Sequence, residues 1–388
     1  MAPQPSLFRI TAVGLVSLAL AMGIGRFAFT PLLPMMREDG LVSIANGGWL
    51  ASVHFLGYWL GAVVAAGVPL SPRTMLRLSL LVVGAGTLAM GVTDDFAAWL
   101  ALRWLNGVGS AWVLVLVGNY YIRHLADNGG AEHQGWVFSG VGAGIAAAGL
   151  ACLALMASGV GSSPSWRILG VLALVAAFAL AVTMGPEIPA VRPSARRRES
   201  QRTPLDWRAV VAYGAMGIGY IIPATYLPVM AREIVPSPLI FGWSWPAFGA
   251  AAFASTLLVA MLRTRYSNRR IWATSQVVMA VGLLLPVVHP HILSIVAAGL
   301  AVGGTFMIVT MTGMNEAHRM APPDDAMRHI AAMTAAFATG QMVGPVFAGS
   351  LHDLTGTFAA SLTVASAALV VTAIALVGGA SAKEAVRP

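Results

Sequence analysis

Three ionisable side chains interrupt long apolar runs of this sequence: Arg26, His54 and Arg103. They lie in "AMGIGRFAFTPLLPMM", "GWLASVHFLGYWLGA" and "LRWLNGVGSAW". An ionised group in an apolar layer is costly unless it faces protein or water, so each residue is a candidate for function. Arginine binds anions and polar groups through paired hydrogen bonds, and histidine exchanges a proton near neutral pH. These residue types predict recognition of a small solute, with proton transfer as a second candidate task.

Each of the three side chains also has a purely structural interpretation. Arg26 could extend toward a membrane surface or bond to helix carbonyls, Arg103 could be a buried pairing residue, and His54 could be a polar group held between helices. The secondary candidates for solute contact have the same alternative, helix packing. They are Thr30, Tyr58, Asn119, Tyr220, Tyr226, Trp243, Trp245 and Gln341.

The sequence lacks the patterns expected of an enzyme or a cofactor-binding protein. The apolar runs contain no paired carboxylates, no HExxH and no nucleophile beside a base, so we expect neither catalysis nor a metal site. "GVGAGIAAAG" is rich in glycine, but no strand precedes it and no acidic residue follows at dinucleotide-binding spacing, so no cofactor is predicted. The single Cys152 excludes an internal disulfide.

The composition places the chain among polytopic membrane proteins. Of its 388 residues, 57% are apolar and 10% are charged, and the mean hydropathy is +0.77. A soluble protein would carry roughly a quarter charged residues. A cleaved signal peptide is the alternative for residues 8–30, but "GRFAFTP" offers no small-residue cleavage pattern. We therefore expect this segment to be retained as the first span.

Apolar runs of about 20 residues predict twelve transmembrane helices, separated by polar or Pro/Gly clusters such as "REDG" and "PPDD". The predicted spans are residues 8–36, 46–69, 74–92, 96–122, 133–159, 166–184, 207–231, 238–262, 270–288, 291–317, 328–351 and 357–380.

The basic residues predict that both termini lie in the cytoplasm. With the N-terminus inside, 18 of the 23 Lys and Arg residues fall in cytoplasmic segments, and only Arg37, Arg167 and Arg232 fall in outer loops. The net charge of +8 is therefore a topology signal, and we expect no nucleic-acid partner.

A repeat divides the chain into halves. The first phrase recurs 194 residues later as "AMGIGYIIPATYLPVM", with eight of sixteen positions identical and Tyr220 in place of Arg26. This offset is half the chain length and indicates a duplicated six-helix unit. The Pro-, Arg- and Ser-rich stretch between the halves is typical of a flexible linker. We predict one bundle in residues 1–185, a cytoplasmic linker in 186–206 and a second bundle in 207–388.

Helix geometry predicts that the polar residues share one depth. At 1.5 Å per residue, Arg26, His54 and Arg103 lie roughly 10–15 Å below the outer face. Tyr220 and Trp245 fall at a similar depth. The sequence thus predicts a polar and aromatic layer in the outer half of a central cavity, although helix rotation is not fixed by this reasoning.

Several motifs resemble those of the major facilitator superfamily. "LRWLNGVGSAW" is similar to its fourth-helix motif through Arg103, Gly107 and Gly109, with Asn106 where glutamine is more usual. "SGVGAGIAAAGL" is similar to its glycine-rich fifth-helix motif, and the proline missing there occurs in "GQMVGPVFAG" of span eleven. "GIGRFAFTPLLPMM" and "GWLASVHFLGYWLGA" resemble the YbfB/YjiJ-like branch of bacterial facilitators.

The resemblance covers essentially the whole chain. It implies an all-α integral membrane fold of two pseudo-symmetric six-helix bundles, located in the bacterial inner membrane and acting as a monomer by alternating access. It also implies a conformational or proton-coupling role for Arg103. One departure is the loop after span two, "GAVVAAGVPLSPRTMLR", which lacks the acidic residue of the superfamily motif. We therefore expect the cytoplasmic latch to be built differently.

Small residues at four-residue spacing predict close helix packing. In spans five and eleven these are Gly140/Gly144 and Gly340/Gly344, the latter beside Pro345, and we expect them where the two halves close.

The favoured function is a secondary transporter in the lipid bilayer that moves a small organic anion or polar neutral solute. Arg26 and Arg103 would set its charge preference, with His54 or Arg103 as candidates for proton coupling. Two interior cations without an interior carboxylate disfavour a multivalent cationic drug as the substrate. The alternatives are a non-transporting sensor or assembly subunit and, less favoured, a multidrug exporter or a membrane-embedded enzyme.

Overall fold

Twelve long helices form nearly all of the chain in the computed structural model, which describes residues 6–184, 204–263, 265–320 and 323–384. Over the described residues, eleven of them are long and apolar enough to cross a membrane, and the twelfth, α8, has 20 residues. The predicted all-helical fold is confirmed. The helices are α1 Leu7–Glu38, α2 Ile44–Val64, α3 Pro72–Met90, α4 Phe96–Asp127, α5 Gln134–Ala157, α6 Ser162–Thr183, α7 Trp207–Ile234, α8 Ser244–Arg263, α9 Asn268–Val288, α10 Ile292–Met320, α11 Pro323–Thr355 and α12 Ala359–Glu384.

Some helix boundaries differ from the prediction for local reasons. α2 ends at Val64, short of residue 69, because a single tight turn follows and Pro69 cannot donate a backbone hydrogen bond. The predicted span 238–262 is split into a short helix, Pro238–Phe241, and α8. α11 is longer than predicted at both ends, and it starts at Pro323, a residue compatible with the first helical turn.

Several helices are capped by the side chains that precede them. Ser43, Ser71, Asp95 and Ser267 each accept a hydrogen bond from a backbone N–H in the first turn of the helix that follows. These bonds satisfy donors that have no partner within the helix. The caps coincide with the polar clusters that separate the apolar runs, which explains why the spans could be placed from sequence.

The helices pack into two groups of six that meet along three helix pairs. In the first group α1 packs on α5, α2 on α4, and α3 on α4 and α6. In the second group α7 packs on α11 and α12, α8 on α10, and α9 on α10 and α12. The groups meet where α5 contacts α8, α2 contacts α11 and α1 contacts α7. The predicted boundary at the linker stays a prediction, because residues 186–203 lie outside the described residues.

We call the end of the bundle where α1 starts the terminal end, and the opposite end the distal end. At the terminal end, arginines hold the last carbonyls of α6. Arg9 donates to Thr183 O at 3.0 Å, Arg73 donates to Met184 O at 3.1 Å, and Arg77 donates to Ala181 O. Cations are favourable at a helix C-terminus, where carbonyls lack intrahelical partners. The loop that lacks an acidic residue thus uses its arginines to bind helix carbonyls.

The four GxxxG glycines pack within each half, so the expectation that they lie where the halves close is wrong. A Cβ on Gly140 or Gly144 would lie 2.2 Å or 2.3 Å from backbone oxygens of α1, in the same half. Gly340 and Gly344 both face α7, also in their own half. A Cβ on Gly340 would lie 2.6 Å from a backbone oxygen of α7, and a Cβ on Gly344 would lie 2.6 Å from Ile221 Cγ2. Periodicity predicts close approach but does not say which neighbour a helix face meets.

The closure between the halves uses other residues of the same two helices. On α5 it uses the face of Gly142, whose built Cβ would lie 2.2 Å from Phe253 N of α8. On α11 it uses Pro345, the residue that follows the GxxxG pair. A Cβ on Gly48 of α2 would lie 2.5 Å from Pro345 O. α5 and α11 therefore do contact the other half, but through other helix faces than the sequence predicted.

An ionic cluster joins three helices at the terminal end. Arg269 of α9 contacts Glu316 of α10 at 2.8 Å and Asp206, the N-cap of α7, at 2.5 Å. The Asp206 and Glu316 side chains are 17% and 7% exposed. Burial alone would raise the pKa of Asp206, but the hydrogen bond and charge of Arg269, together with backbone hydrogen bonds from Ala209 and Arg208, outweigh burial and lower it.

We expect Asp206→Asn to lower the stability of the protein at pH 7 by roughly 1–3 kcal/mol, less than for a fully buried pair. A carboxyl whose pKa is lowered by folding stabilises the protein above its ordinary value of about 3.9, and this contribution is lost as the pH falls through the lowered value. The thermal unfolding midpoints of wild type and variant should therefore begin to converge below about pH 5 and continue to converge as the pH falls through the lowered value. The matched control is Asp127→Asn, whose 3.9 Å pair with Arg123 is exposed and should contribute little. A constant difference across this pH range would contradict the argument.

Candidate functional site

The site is built around a widened stretch of α1. Residues Ala19–Arg26 form π-helical turns, and Phe27 N bonds to Met22 O, five residues back, at 2.9 Å. Thr30 N then bonds to Phe27 O at 3.2 Å, so the helix tightens immediately after the wide turns. Such turns in α-helices occur frequently at functional sites.

Arg103 supports the wide turns from α4. Its guanidinium donates to Gly25 O at 3.3 Å and to Arg26 O at 3.5 Å, and also to Leu50 O of α2 at 3.3 Å. It is 1% exposed, and its guanidinium lies 4.6 Å from the centre of the Phe29 ring. All of its hydrogen bonds run to backbone carbonyls, so Arg103 holds the backbone that presents Arg26.

Arg26 is a buried cation without an acidic partner in the part of the chain that the structure describes. It is 8% exposed and donates a hydrogen bond to the Tyr220 hydroxyl of α7, while its Nε has no hydrogen-bond partner there. Three rings surround the guanidinium, with centres 4.8 Å (Phe27), 4.7 Å (Phe55) and 5.2 Å (Tyr58) away. Cation–π contacts partly offset the desolvation of the guanidinium but do not neutralise its charge.

Tyr220 faces Arg26 across the boundary between the halves. Its ring is stacked between Phe306, at 5.3 Å, and Phe337, at 5.6 Å, with interplanar angles of 7° and 3°. Its hydroxyl oxygen accepts hydrogen bonds from both Arg26 and Gln341. Since both neighbours donate, the hydroxyl proton of Tyr220 remains available for an acceptor.

His54 lies beside the two arginines. It is fully buried, and neither ring nitrogen makes a hydrogen bond within the described residues, although the Arg103 backbone is a polar neighbour. Its ring meets Phe55 edge-on at 5.6 Å, and a Cβ on Gly107 would lie 2.0 Å from His54 O.

An aromatic wall extends the site into α8. Trp245 stacks on Phe248 at 4.7 Å and lies 5.9 Å from Phe27, and Phe248 in turn lies 5.6 Å from Phe306. Within the described residues the indole N–H of Trp245 has no hydrogen-bond partner. Sequence reasoning missed the phenylalanines of this site. Phe27 and Phe55 adjoin two singled-out residues, but Phe306 and Phe337 carried no signal.

The structure thus brings seven predicted residues to one layer: Arg26, His54, Tyr58, Arg103, Tyr220, Trp245 and Gln341. It places the other four elsewhere. Thr30 bonds to Ala224 O at 2.5 Å, and Tyr226 donates to Pro345 O and Ile44 O at 2.8 Å and 3.3 Å, both within contacts between helices. Trp243 is 52% exposed in a turn. Asn119 is exposed, roughly 24 Å along α4 from Arg103.

Polar contacts close the distal end of the bundle. Arg232 of α7 meets Glu38 of α1 at 2.8 Å, and Arg37 of α1 meets Glu233 of α7 at 3.5 Å. Asp353 of α11 accepts a hydrogen bond from Ala45 N of α2 at 3.2 Å. These contacts separate the Arg26 layer from the distal surface.

The comparisons with known proteins agree with this architecture. Residues 18–377 match the profile of a family described as uncharacterised MFS-type transporter YbfB. The chain belongs to this family. Among curated relatives, the YbfB-family chain is 28% identical over 187 residues to the uncharacterised MFS-type transporter YceJ of Bacillus subtilis, over 46% of this chain and 45% of that one. It is 31% identical over 196 residues to rat synaptic vesicle glycoprotein 2A, over 47% of this chain and 26% of that one.

The matches therefore span less than half the length of these relatives.

Solved structures match over the whole fold at low identity. The D-xylose-proton symporter has a TM-score of 0.74 at 14% identity, covering 96% of this chain and 97% of that one. The nucleoside transporter NupG has a TM-score of 0.71 at 14% identity, covering 96% and 98%. The YbfB-family chain is thus a multi-pass protein with the MFS fold.

Within the described residues, no group of three or more His, Cys, Asp or Glu is placed to hold a metal ion. What the site offers a ligand is the Arg26 cation, polar side chains and aromatic faces.

Proposed function

We propose that the protein is a secondary transporter that moves a small organic anion by alternating access and performs no chemistry on it. The observation that carries the proposal is Arg26, a buried guanidinium with an unpartnered Nε and no carboxylate partner among the described residues. A buried charge without a counter-ion is unfavourable, and an anionic solute supplies that counter-ion.

The hydrogen-bonding groups around Arg26 also favour an anion. A carboxylate accepts hydrogen bonds from the edge of a guanidinium, and the Nε of Arg26 is a free donor on such an edge. The hydroxyl proton of Tyr220 is a further donor. The rings of Phe27, Phe55 and Tyr58 give the solute apolar surroundings. We therefore infer a monovalent organic acid with an apolar body as the substrate class.

A polar neutral solute is the second candidate, favoured by the Gln341–Tyr220 pair. Two side chains that each donate and accept hydrogen bonds can bind hydroxyl groups as well as carboxylates. The two candidates can be separated by competition for transport of a labelled solute. The comparison is between inhibition by neutral sugars or nucleosides and inhibition by organic acids at the same concentration.

The charge distribution predicts the orientation of the transporter in the membrane. The basic residues at the terminal end favour that end as the cytoplasmic one, in a bacterial inner membrane. With the distal end held by its ion pairs, access to Arg26 from the outer side would be blocked in this conformation. A non-transporting sensor remains the alternative, and it would show binding without flux.

The test is counterflow in proteoliposomes with labelled organic acids, neutral sugars and cationic drugs. We expect exchange of at least one class of organic acid, with no exchange of the cations. Absence of flux across the whole panel would overturn the transporter proposal, and a preference for cations would overturn the assignment of Arg26.

We propose His54 as the proton-coupling residue. His54 adjoins Phe55, whose ring centre lies 4.7 Å from the Arg26 guanidinium, so an anion bound at Arg26 would favour a positive charge on the neighbouring imidazole. Protonation and anion binding would therefore favour each other. We expect His54→Gln to reduce the solute accumulation that a proton gradient drives by at least about tenfold. Its counterflow rate should stay within about twofold of the wild-type rate. His124→Gln, near the terminal end of α4, is the control. A normal response of His54→Gln to the gradient would contradict this role.

A further inference from the structure

An apolar groove runs along the face of α8 that is turned away from the aromatic site. It lies between α8 and α10 and has a volume of about 430 Å³. Leu258 in its wall is 51% exposed and lies about 140° around the helix from Trp245, which is fully buried in the aromatic wall. The groove therefore opens on the outer, membrane-facing surface of the bundle.

Small residues form the floor of this groove. They are Ala251, Ala254 and Ser255 on α8 and Gly304 on α10. A Cβ on Gly304 would meet only Ala251 Cβ, at 3.9 Å, so the floor leaves open space above it. From Ala251 to Met261 the groove follows α8 for roughly 15 Å. This is half of the ~30 Å hydrocarbon layer, the depth of one leaflet.

A basic and an aromatic residue stand at the terminal end of the groove. Arg265 and Tyr266 line it, and both are exposed. Arg265 has no ion pair within the described residues, and the carboxylates Asp206 and Glu316 at the same end of the bundle are engaged by Arg269. Tyrosine and arginine at such a level are typical of contact with lipid headgroups.

The geometry points to a binding site for one anionic phospholipid in the leaflet at the terminal end. An acyl chain lies along the small-residue floor between Leu258 and Ile308, and the phosphate is bound by Arg265 and the Tyr266 hydroxyl. Charge complementarity selects an anionic headgroup, and the one-leaflet length selects a lipid chain. Nothing in the site depends on the solute or on Arg26, so this site can be tested apart from transport.

The test is native mass spectrometry of delipidated protein titrated with phosphatidylglycerol or with phosphatidylcholine of the same chains. We expect one phosphatidylglycerol to bind about fivefold more tightly than phosphatidylcholine, the preference that a single basic residue supplies. Arg265→Gln should abolish this preference. Gly304→Leu, which fills the open space, should weaken the binding of both lipids. Arg270→Gln removes an equal charge from the start of α9, outside the groove lining, and should retain the preference.

Three outcomes would overturn the site. Wild-type binding by both Arg265→Gln and Gly304→Leu would show that lipid does not use the groove. An equal loss of preference in Arg270→Gln would show a diffuse basic surface instead of a site. A dimer mass that persists as lipid is added would show that a second copy of the chain covers the groove.

Discussion

Replacing Arg26 with glutamine should abolish high-affinity binding of the transported organic acid. An arginine–carboxylate pair makes two charge-assisted hydrogen bonds of about 1.5–3 kcal/mol each. Because 1.4 kcal/mol is a factor of ten, affinity measured by counterflow should fall at least about 100-fold. Arg26→Lys keeps the charge but loses the planar pair of donors, so we expect a loss of affinity between those of wild type and Arg26→Gln.

The Arg26→Gln variant should remain folded. Removing a buried, uncompensated cation relieves a desolvation cost, so its thermal stability should equal or exceed that of wild type. Arg167→Gln, at an exposed distal position at the start of α6, removes the same charge and should leave transport unchanged. If a correctly inserted Arg26→Gln variant bound the solute with wild-type affinity, Arg26 would not be part of the binding site.

Cross-linking the distal end should stop transport. Alternating access requires this end to open, and Asp353 of α11 contacts Ala45 N of α2 across the halves at 3.2 Å. The test uses a double variant, Ala45→Cys and Asp353→Cys, in which the buried Cys152 is changed to alanine. We expect oxidation to reduce solute uptake by this variant at least about tenfold. Reduction should restore it, and each single cysteine should transport normally, because exposed polar contacts contribute little.

A cross-link within one half is the matched control for that experiment. Asp39 at the end of α1 accepts hydrogen bonds from Ser162 N and Oγ of α6 at 2.7 Å and 2.6 Å. Cysteines at these two positions join helices of the same half at the same end of the molecule. That oxidised pair should transport normally. Full uptake by the cross-linked pair across the halves would show that the distal end does not need to open.

The sequence predicted the helices because their positions depend on local properties. Apolar run length determines where a span can lie, and rise per residue predicts that Arg26, His54 and Arg103 share one level. The repeat offset pointed to Tyr220, since residues related by 194 positions are expected to occupy equivalent places in the two halves. The hydrogen bond between Arg26 and Tyr220 joins these two positions.

Helix rotation and the departures from α-helix could not be predicted, because they depend on contacts with distant segments. Trp243 and Asn119 were reasonable by residue type, but Trp243 lies in an exposed turn and Asn119 lies roughly 24 Å along α4 from Arg103. The wide turns of α1 are supported by Arg103 from another helix, and no local pattern signals them. Phe306 and Phe337 were indistinguishable in sequence from packing residues until the structure placed them on either side of Tyr220.

The contact between Arg26 and Tyr220 also bears on the history of the chain. If both halves descend from one six-helix unit, that unit would have paired with an identical copy, and residue 26 of each copy would have faced the other. Two guanidinium groups about 4 Å apart would repel by about 4 kcal/mol at an effective dielectric constant of about 20. An arginine here is therefore compatible with the fused, unequal chain and not with a symmetric dimer. Gene fusion would have been the step that allowed one half to acquire the charge while the other kept a neutral partner.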